Sequence, residues 1–359
     1  MKKYNCISTL LNGWFLLVFL TVHTQASEWY DNEDITTIYE VINKISSESL
    51  YLDREVNLPI DILKQYIYKI DPYGEYFSKE EYSAFQSTLS PDYAGVGMIL
   101  YQQSKDSKIL CIPMTQELKD SGVAKYDELV SVNGHSIQNR NFYLISSWIR
   151  GRKNSSITFK IKKTSGKIKI ITTRRQEQFF QTTRRVIEEG TPMIQIIRFT
   201  SETPQELQAI LKNWPKSIPV IIDLRGNGGG DFFAAIKSAD LFLAKNILMA
   251  TIETKDKYNE YLSMSKDITD GSMLILLQDK FSASASEVFI AALTQNNRGQ
   301  SIGEKSFGKG VAQKFITLQN GGALLLTYGE IITPNGESYH KKGLMPTSSL
   351  SLGALLKSI

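Results

Sequence analysis

The chain has 359 residues, with 41 lysines and arginines against 37 aspartates and glutamates, and a formal net charge of +4 at pH 7. This length predicts two or three domains, with enough core to enclose a catalytic site, and argues against a lone binding module. The near balance of charge gives no electrostatic basis for binding nucleic acid, so we expect no nucleic-acid partner.

Residues 1–26 have the character of a secretory signal peptide. They contain Lys2 and Lys3, no acidic residue, an apolar run from Trp14 to Val22, and an ending Thr24-Gln25-Ala26. Cleavage after Ala26 is predicted. An uncleaved membrane anchor is the alternative, although the apolar run is shorter than the roughly 20 residues that span a bilayer. We therefore expect an exported protein.

Residues 27–91 are predicted to form a helical N-terminal segment. Apolar residues recur there at the i, i+3, i+4, i+7 spacing of one helix face. They are Ile35, Ile38, Tyr39, Ile42 and Ile45. Ser78 and Glu81 have the spacing of a capping box and predict a second helix, and Asp71-Pro72-Tyr73-Gly74 before it reads as a turn.

Residues 92–175 consist of short β-branched runs broken by glycine, with one helix predicted from Phe142 to Ile149. The string SGVAKYDELVSVNGHSI resembles part of a PDZ domain, with a short helix, an acidic turn and a strand ending in Asn-Gly. The resemblance implies that the backbone N–H groups of Gly95, Val96 and Gly97 receive the terminal carboxylate of a peptide that adds as a strand. A small β-barrel with an incidental Gly-x-Gly turn is the alternative.

Residues 176–359 alternate strands and helices. Strand-like runs occur at 219–224 and 274–279, and helices are predicted near 231–244 and 284–295. This alternation predicts an α/β core with its site in the loops at the strand ends. The whole chain is thus predicted to be a mixed α/β protein with a helical N-terminal segment, a PDZ-like β domain and an α/β core.

Ser284 lies between the strand LILLQ and the helix EVFIAAL. A helix start offers unpaired N–H groups and a partial positive potential, which can stabilise an alkoxide and the oxyanion formed when it attacks a carbonyl. Ser284 with Glu287 three residues later is equally the pattern of a simple capping box. Composition alone does not choose among Ser284 and its neighbours Ser282 and Ser286.

Lys309 lies between two glycines, and Gln313 follows four residues later. If a strand begins at Lys309, both side chains share a face and the glutamine amide can orient the lysine amine. A lysine acts as a general base only when neutral, and burial favours the neutral form; a solvent-exposed lysine is the alternative. Outside residues 1–26 the sequence has only His135 and His340, the latter in a polar tail expected to be exposed, which disfavours a Ser-His-Asp triad.

The segment DLRGNGGG at 223–230 leads from a strand through glycines into a helix. Glycines let the backbone turn sharply and present N–H groups to a developing anion, as in half of an oxyanion hole. A phosphate loop is the rival interpretation. It is disfavoured because no Gly-Lys-Ser/Thr is present and Asp231 stands where a third glycine would be needed.

These motifs, taken in order with DPYGEYFSKEEY, SASASE at 282–287 and FGKGVAQ at 307–313, resemble a carboxy-terminal processing protease, also called a tail-specific protease. The resemblance implies a protease core of the ClpP/crotonase-like type. It also implies Ser284 as nucleophile, Lys309 as general base and Gln313 as the residue that orients it. The implied oxyanion donors are the backbone N–H groups of Ala285 and Gly229, with no metal or cofactor.

The function implied by the resemblance is an exported, periplasmic serine endopeptidase that captures protein substrates by apolar C-terminal tails. An adaptor protein and a homo-oligomer remain open as partners. Two alternatives also remain open: a noncatalytic peptide-binding scaffold with the same fold, and an enzyme that stays inactive until a tail or a partner shifts it to an active state.

Overall fold

The computed structural model describes residues 32–50, 58–87, 93–102, 107–138, 140–176 and 181–357. The predicted signal peptide lies outside these ranges. The chain divides into two compact units, residues 1–72 and 73–359. Within the ranges given, no helix combines the length and the apolar character that crossing a membrane requires.

The first unit contains helix α1 (Asn32–Glu48), which covers the residues with the predicted helical spacing, and helix α2 (Leu58–Ile70). The apolar face of α1 is largely open to solvent, with Ile38 49% and Ile45 38% exposed.

The second unit begins with β1 (Glu75–Phe77) and α3 (Lys79–Ser87). The predicted capping box is present, because Ser78 N donates to Glu81 Oε2 at 2.8 Å and Glu81 N donates to Ser78 Oγ at 3.2 Å. The sequence places β1 and α3 with the helical segment 27–91, but β1 pairs antiparallel with a strand of the α/β core, Ala323–Ile332. These elements therefore belong to the unit that carries the candidate site.

A β domain follows, with its own buried core drawn from residues 96–171. Its elements are β2 (Tyr93–Ala94), β3 (Met98–Tyr101), β4 (Leu110–Pro113), α4 (Gln116–Asp120), β5 (Asp127–Val132), β6 (His135–Ser136), α5 (Phe142–Ile149), β7 (Gly151–Arg152), β8 (Ser156–Lys162) and β9 (Ile168–Arg174). The main sheet is antiparallel in the order β3-β4-β5-β8-β9. Strand β3 is thus an edge strand, which is where an added peptide strand could pair.

The α/β core holds the rest of the described chain. Its elements are β10 (Thr183–Glu188), β11 (Thr191–Ile196), α6 (Thr203–Lys212), β12 (Val220–Asp223), α7 (Phe232–Asp240), β13 (Leu248–Thr254), β14 (Tyr258–Leu262), β15 (Leu274–Gln278), α8 (Ala285–Thr294), β16 (Gln300–Gly303), β17 (Val311–Thr317), β18 (Ala323–Ile332) and α9 (Leu352–Lys357).

The central sheet of this core has the order β10-β11-β12-β15-β16, and β11, β12, β15 and β16 run parallel. Strands β12 and β15 are wholly buried and apolar apart from their last residues, as expected for parallel strands covered on both faces. Asp223, the last residue of β12, is in register with Leu277 of β15. The loops that follow these two strands therefore leave the sheet side by side, which brings residues 224–231 and 279–284 together.

A second sheet has the order β1-β18-β13-β14, with β17 paired to β18 as a hairpin. The hairpin turns at Asn320-Gly321, where Gly321 has φ of 82°, as the Asn-Gly dipeptide predicts. Lys309, the predicted base, lies two residues before β17, in the loop that leads into this second sheet.

Candidate active site

Ser284 caps helix α8 in a backbone conformation that serine rarely adopts, with φ of 55° and ψ of −117°. Positive φ is costly for a residue with a Cβ, and such outliers cluster at functional sites. Ser284 and Glu287 form a capping box at this helix start. The sharp turn between β15 and α8 thus presents the Ser284 hydroxyl at the start of a helix.

Glu287 joins the loops of the two predicted catalytic residues. Its side chain is fully buried, and its Oε2 accepts from Ser284 N at 2.9 Å and from Lys309 N at 2.8 Å. Its Oε1 accepts from Ser306 Oγ and Gly308 N, both at 2.6 Å. Burial raises the pKa of this carboxyl above its ordinary value, against the opposing effect of these four donors. The sequence indicates Glu287 only as a capping residue, because its other partners lie about 20 positions away.

Lys309 precedes β17, which begins two residues later at Val311, so the condition under which Lys309 and Gln313 share a strand face is not met. The Lys309 Nζ lies 5.5 Å from the centre of the Tyr73 ring, over its face. Cation–π contact of this kind favours a positively charged ammonium. Gly308 has φ of 91°, and a Cβ there would lie 2.8 Å from Gly343 N, so this tight approach requires glycine.

Gln313 donates from its side-chain Nε2 to the backbone oxygen of Tyr73 at 2.8 Å. The pairing of β17 with β18 shifts register between Ala312 and Gln313, so simple alternation does not relate the orientation of Gln313 to that of Lys309. Gln313 and Lys309 both contact Tyr73, one at its carbonyl and the other at its ring. Tyr73 was indicated in the sequence only as a turn residue, because nothing local reveals contacts made more than 200 positions away.

His340 is partly buried beside the loop of Lys309, which corrects the expectation of an exposed tail residue. Its ring lies 5.5 Å from that of Tyr73 in an edge-on arrangement, and burial lowers its pKa. The tail is held here because Lys341 N donates to Gly308 O at 2.8 Å.

The glycine-rich loop after β12 is organised by Asn227, whose side chain is buried. Its Nδ2 donates to Ile196 O, and its Oδ1 accepts from Gly229 N, both at 2.9 Å. The predicted oxyanion donor Gly229 therefore has its N–H engaged within its own loop. By contrast, the N–H of Ala285 makes no hydrogen bond with any described residue.

Gly229 nevertheless lies against Ser284. A Cβ built on it would be 2.9 Å from Ser284 Cβ and 2.6 Å from Ala283 O, so no larger residue fits. The start of the loop is braced as expected, since Arg225 Nε donates to Asp223 Oδ1 at 2.9 Å. Arg225 also pairs with Glu188 at 2.5 Å.

The three predicted peptide-binding residues of the β domain differ in availability. Gly95 exchanges backbone hydrogen bonds with Gln176, at 3.0 Å from its N–H and 2.8 Å to its carbonyl oxygen. The N–H groups of Val96 and Gly97 make no hydrogen bond with the rest of the described chain. Gly97 has φ of 74° and packs so closely on Thr115 that a Cβ would lie 2.5 Å from its side chain. Two of the three N–H groups are therefore unengaged.

The β domain contacts the loop that leads to Ser284. Phe281 packs edge-on against Tyr101 at 5.2 Å between ring centroids, and against Tyr126 at 5.3 Å. Burial, reinforced by the nearby Asp279, raises the pKa of Tyr101 to about 12. Because Tyr101 ends the edge strand β3, that edge leads toward the residues preceding Ser284.

A cluster of aromatic residues connects α5 of the β domain to the hairpin that carries Gln313. Phe77, which is fully buried, packs at 5.4 Å against Tyr143 of α5 and at 5.5 Å against Phe315 of β17. Phe85 of α3 stacks on Phe315 at 5.0 Å. The β domain and the site are thus joined by packed side chains as well as by the covalent chain.

The chain is similar in sequence to known proteases. Residues 190–350 match peptidase family S41. A probable CtpA-like serine protease of Staphylococcus epidermidis is 30% identical over 330 residues, which cover 88% of this chain and 65% of that protein. A probable CtpA-like serine protease of Staphylococcus aureus is 29% identical over 363 residues, covering 96% of this chain and 72% of that protein. The chain thus spans 65% and 72% of the lengths of these two relatives.

The fold is similar to that of a photosystem II D1 C-terminal processing protease, with a TM-score of 0.66 at 20% sequence identity. The superposition covers 89% of this chain and 90% of that structure. These similarities confirm the predicted resemblance to carboxy-terminal processing proteases and the predicted mixed α/β fold.

Proposed function

Since residues 190–350 match peptidase family S41, we propose that this protein is a serine endopeptidase that cleaves protein substrates captured by their C-terminal tails. The supporting observation is the shared acceptor Glu287 Oε2, which holds the backbone N–H groups of both Ser284 and Lys309. A single buried oxygen thereby keeps the nucleophile loop and the base loop in contact.

In the proposed reaction, Ser284 Oγ attacks the carbonyl carbon of the scissile peptide bond and its proton passes to a neutral Lys309 Nζ. The carbonyl oxygen becomes an anion that accepts hydrogen bonds from the backbone N–H groups of Ala285 and Gly229. Collapse of this intermediate breaks the C–N bond, and the leaving amine takes the proton from Lys309. Water then hydrolyses the ester on Ser284, with Lys309 again serving as base and Gln313 helping to orient it.

Tail capture is proposed for the β domain. The unengaged N–H groups of Val96 and Gly97 support binding of a terminal carboxylate there, and the edge strand β3 supports strand addition. The tail then runs along β3 toward Tyr101 and Phe281, and apolar tail residues are the proposed specificity. Export to the periplasm is proposed from residues 1–26, whose composition is that of a signal peptide.

Activation by tail or partner binding is favoured over a permanently active site by one contact. The N–H of Gly229, a proposed oxyanion donor, donates to Asn227 Oδ1. This N–H would have to change partner before the proposed reaction, and a bound tail is the proposed cause.

The test is cleavage of an unstructured protein with an apolar C-terminal tail by the chain without residues 1–26. Ser284→Ala and Lys309→Ala are expected to abolish cleavage while folding like the parent. Lys305→Ala, an exposed lysine in the same segment, is expected to retain it. Cleavage that survives in both site variants would overturn the assignment of Ser284 and Lys309.

Tail capture is tested by fluorescence anisotropy with Ser284→Ala and a labelled apolar peptide. The free-acid peptide is expected to bind, and its C-terminal amide to bind at least about ten-fold more weakly, because a charged acceptor is lost. Binding of the free-acid peptide without any cleavage by the parent chain would instead support the noncatalytic scaffold.

A further inference from the structure

A cavity of about 350 Å³ opens beside the glycine-rich loop, at the start of helix α7. Its lining includes Arg198, Phe199, Asp231, Phe233 and Lys237. Its volume is at the lower end of the range for ligand pockets, and it suits a side chain or two of a peptide rather than a large cofactor.

Backbone contacts place this cavity next to the reactive serine. Phe199 N donates to Gly229 O at 3.0 Å, and Asp231 N donates to Phe199 O at 2.9 Å. Gly229 is the residue whose added Cβ would lie 2.9 Å from Ser284 Cβ. Asp231, which lines the cavity, is thus only two residues from Gly229, the glycine that packs against Ser284. An extended substrate advances about 3.3 Å per residue, so a side chain two or three positions from the scissile bond reaches the cavity.

Two of the residues that line the cavity are cations and one is a carboxylate, while Glu202, outside the lining, accepts hydrogen bonds from Thr200 and Ser201 of the lining. Arg198 and Lys237 are both exposed, and neither forms an ion pair with a carboxylate in the part of the chain that the structure describes. The single carboxylate among the lining residues, that of Asp231, accepts from Ala234 N at 2.6 Å as the N-cap of α7. A carboxylate at a helix start is already stabilised by the N–H groups there, so it is a poor partner for the two cations.

Phe233 adds an apolar surface to the same rim. Its side chain is 55% exposed, and it lies one helical turn before Lys237, on the same face of α7. An exposed phenyl ring beside two cations matches a ligand with a carboxylate and an aliphatic stem.

We propose that this cavity is a substrate subsite that receives an aspartate or glutamate side chain located two or three residues from the scissile bond. The proposal rests on the proposed peptidase function and adds a preference at the same active site. Arg198 and Lys237 bind the substrate carboxylate, and Phe233 packs against the stem of that residue or of its neighbour. A lysine at this substrate position is repelled.

The experiment uses peptides that share one apolar tail and one scissile bond and carry Glu, Gln or Lys at a single position. That position is varied over the three residues on each side of the scissile bond. For the parent chain, kcat/KM is expected to favour Glu over Lys about ten-fold at one position, because two partly exposed ion pairs are gained. Gln is expected to lie between them.

The charge-reversed double variant Arg198→Glu/Lys237→Glu is expected to invert the order, so that the Lys peptide becomes the better substrate while the Gln peptide is cleaved nearly as before. Lys255→Glu changes the charge of an exposed lysine outside the cavity lining and is the matched control. It is expected to keep the preference for Glu. Thermal unfolding midpoints establish that each variant is folded.

Binding of the Glu and Lys peptides to Ser284→Ala, with and without the double reversal, repeats the comparison without turnover. Equal kcat/KM for the three peptides at every position, or a preference that the double reversal leaves unchanged, would overturn the subsite alone. An equal loss of preference in Lys255→Glu would also overturn it, because the effect would then come from overall charge. Failure of the parent chain to cleave even the Gln peptide would contradict the proposed function and remove the subsite with it.

Discussion

Glu287→Gln is the substitution for which the structure gives the sharpest expectation. The two oxygens of Glu287 each accept two hydrogen bonds, from Ser306 and Gly308 on one side and from Ser284 and Lys309 on the other. Glutamine retains the shape but only one oxygen, so its NH₂ group must face two donors whichever way the amide is turned.

With its NH₂ group turned toward Ser306, whose hydroxyl can accept, glutamine leaves one buried donor, Gly308 N, without an acceptor, which costs about 1–3 kcal/mol. Removing a buried charge offsets part of this cost. We therefore expect the free energy of unfolding to fall by about 1–2 kcal/mol. Oε2 of Glu287 accepts from the backbone N–H groups of both Ser284 and Lys309. We therefore also expect the rate of substrate cleavage by Glu287→Gln to fall by more than its loss of folded protein explains.

The assay is urea unfolding at neutral pH, followed by tryptophan fluorescence and far-ultraviolet circular dichroism. Glu260→Gln, an exposed glutamate on β14, is the matched control and should change stability by less than about 0.5 kcal/mol. A loss below about 0.5 kcal/mol for Glu287→Gln would refute the reasoning, since it would mean that the four donors do not depend on the carboxylate.

Three further expectations concern pH, the Lys309 contact and the aromatic cluster. The pKa of Glu287 is raised, so its carboxyl stays protonated to higher pH in the native state than in the unfolded chain. The difference in unfolding free energy between the parent and Glu287→Gln should therefore shrink as pH rises from about 4 to 8. Unfolding midpoints that show this difference widening over the same range would contradict the expectation. Tyr73→Leu should lower kcat by up to about five-fold, because the ring stabilises the ammonium that forms when Lys309 takes the proton of Ser284, whereas Tyr73→Phe should not, and an equal loss in both would exclude the ring contact as the cause. Phe77→Ala should cost about 3–5 kcal/mol of unfolding free energy because Phe77 is fully buried, against little change for the exposed Phe233→Ala, with urea midpoints as the measure.

The sequence was informative about the site because each proposed catalytic group has a local signature. Ser284 stands at a strand-to-helix junction, and Lys309 stands between glycines whose tight packing the structure explains. The predicted α/β core, with its site in the loops at the strand ends, also follows from the alternation of strand-like and helical runs. What could not be read locally was how these groups are held. Tyr73 contacts Lys309 and Gln313 from more than 200 positions away, and no pattern near Tyr73 indicates it.

The expected availability of backbone N–H groups depended on the same kind of distant contact. Gly95 and Gly229 were predicted as donors from their glycine motifs, yet Gln176 and Asn227 accept their hydrogen bonds. The side chain of Asn227 was visible in the sequence, but its direction is set by Ile196 O on a neighbouring strand. A glycine motif therefore predicts where the backbone approaches a site, and not which N–H remains unengaged.

The sequence by itself determined where the main elements of the α/β core lie and which groups are the candidates for catalysis, because helix and strand periods, glycine turns and chemically distinctive side chains are local properties. Only the tertiary structure decided that one carboxylate, Glu287, holds both the Ser284 and Lys309 loops. It also decided that Arg198 and Lys237 face one cavity. These juxtapositions follow from strand register and helix packing, which depend on the burial of the whole core rather than on any short segment.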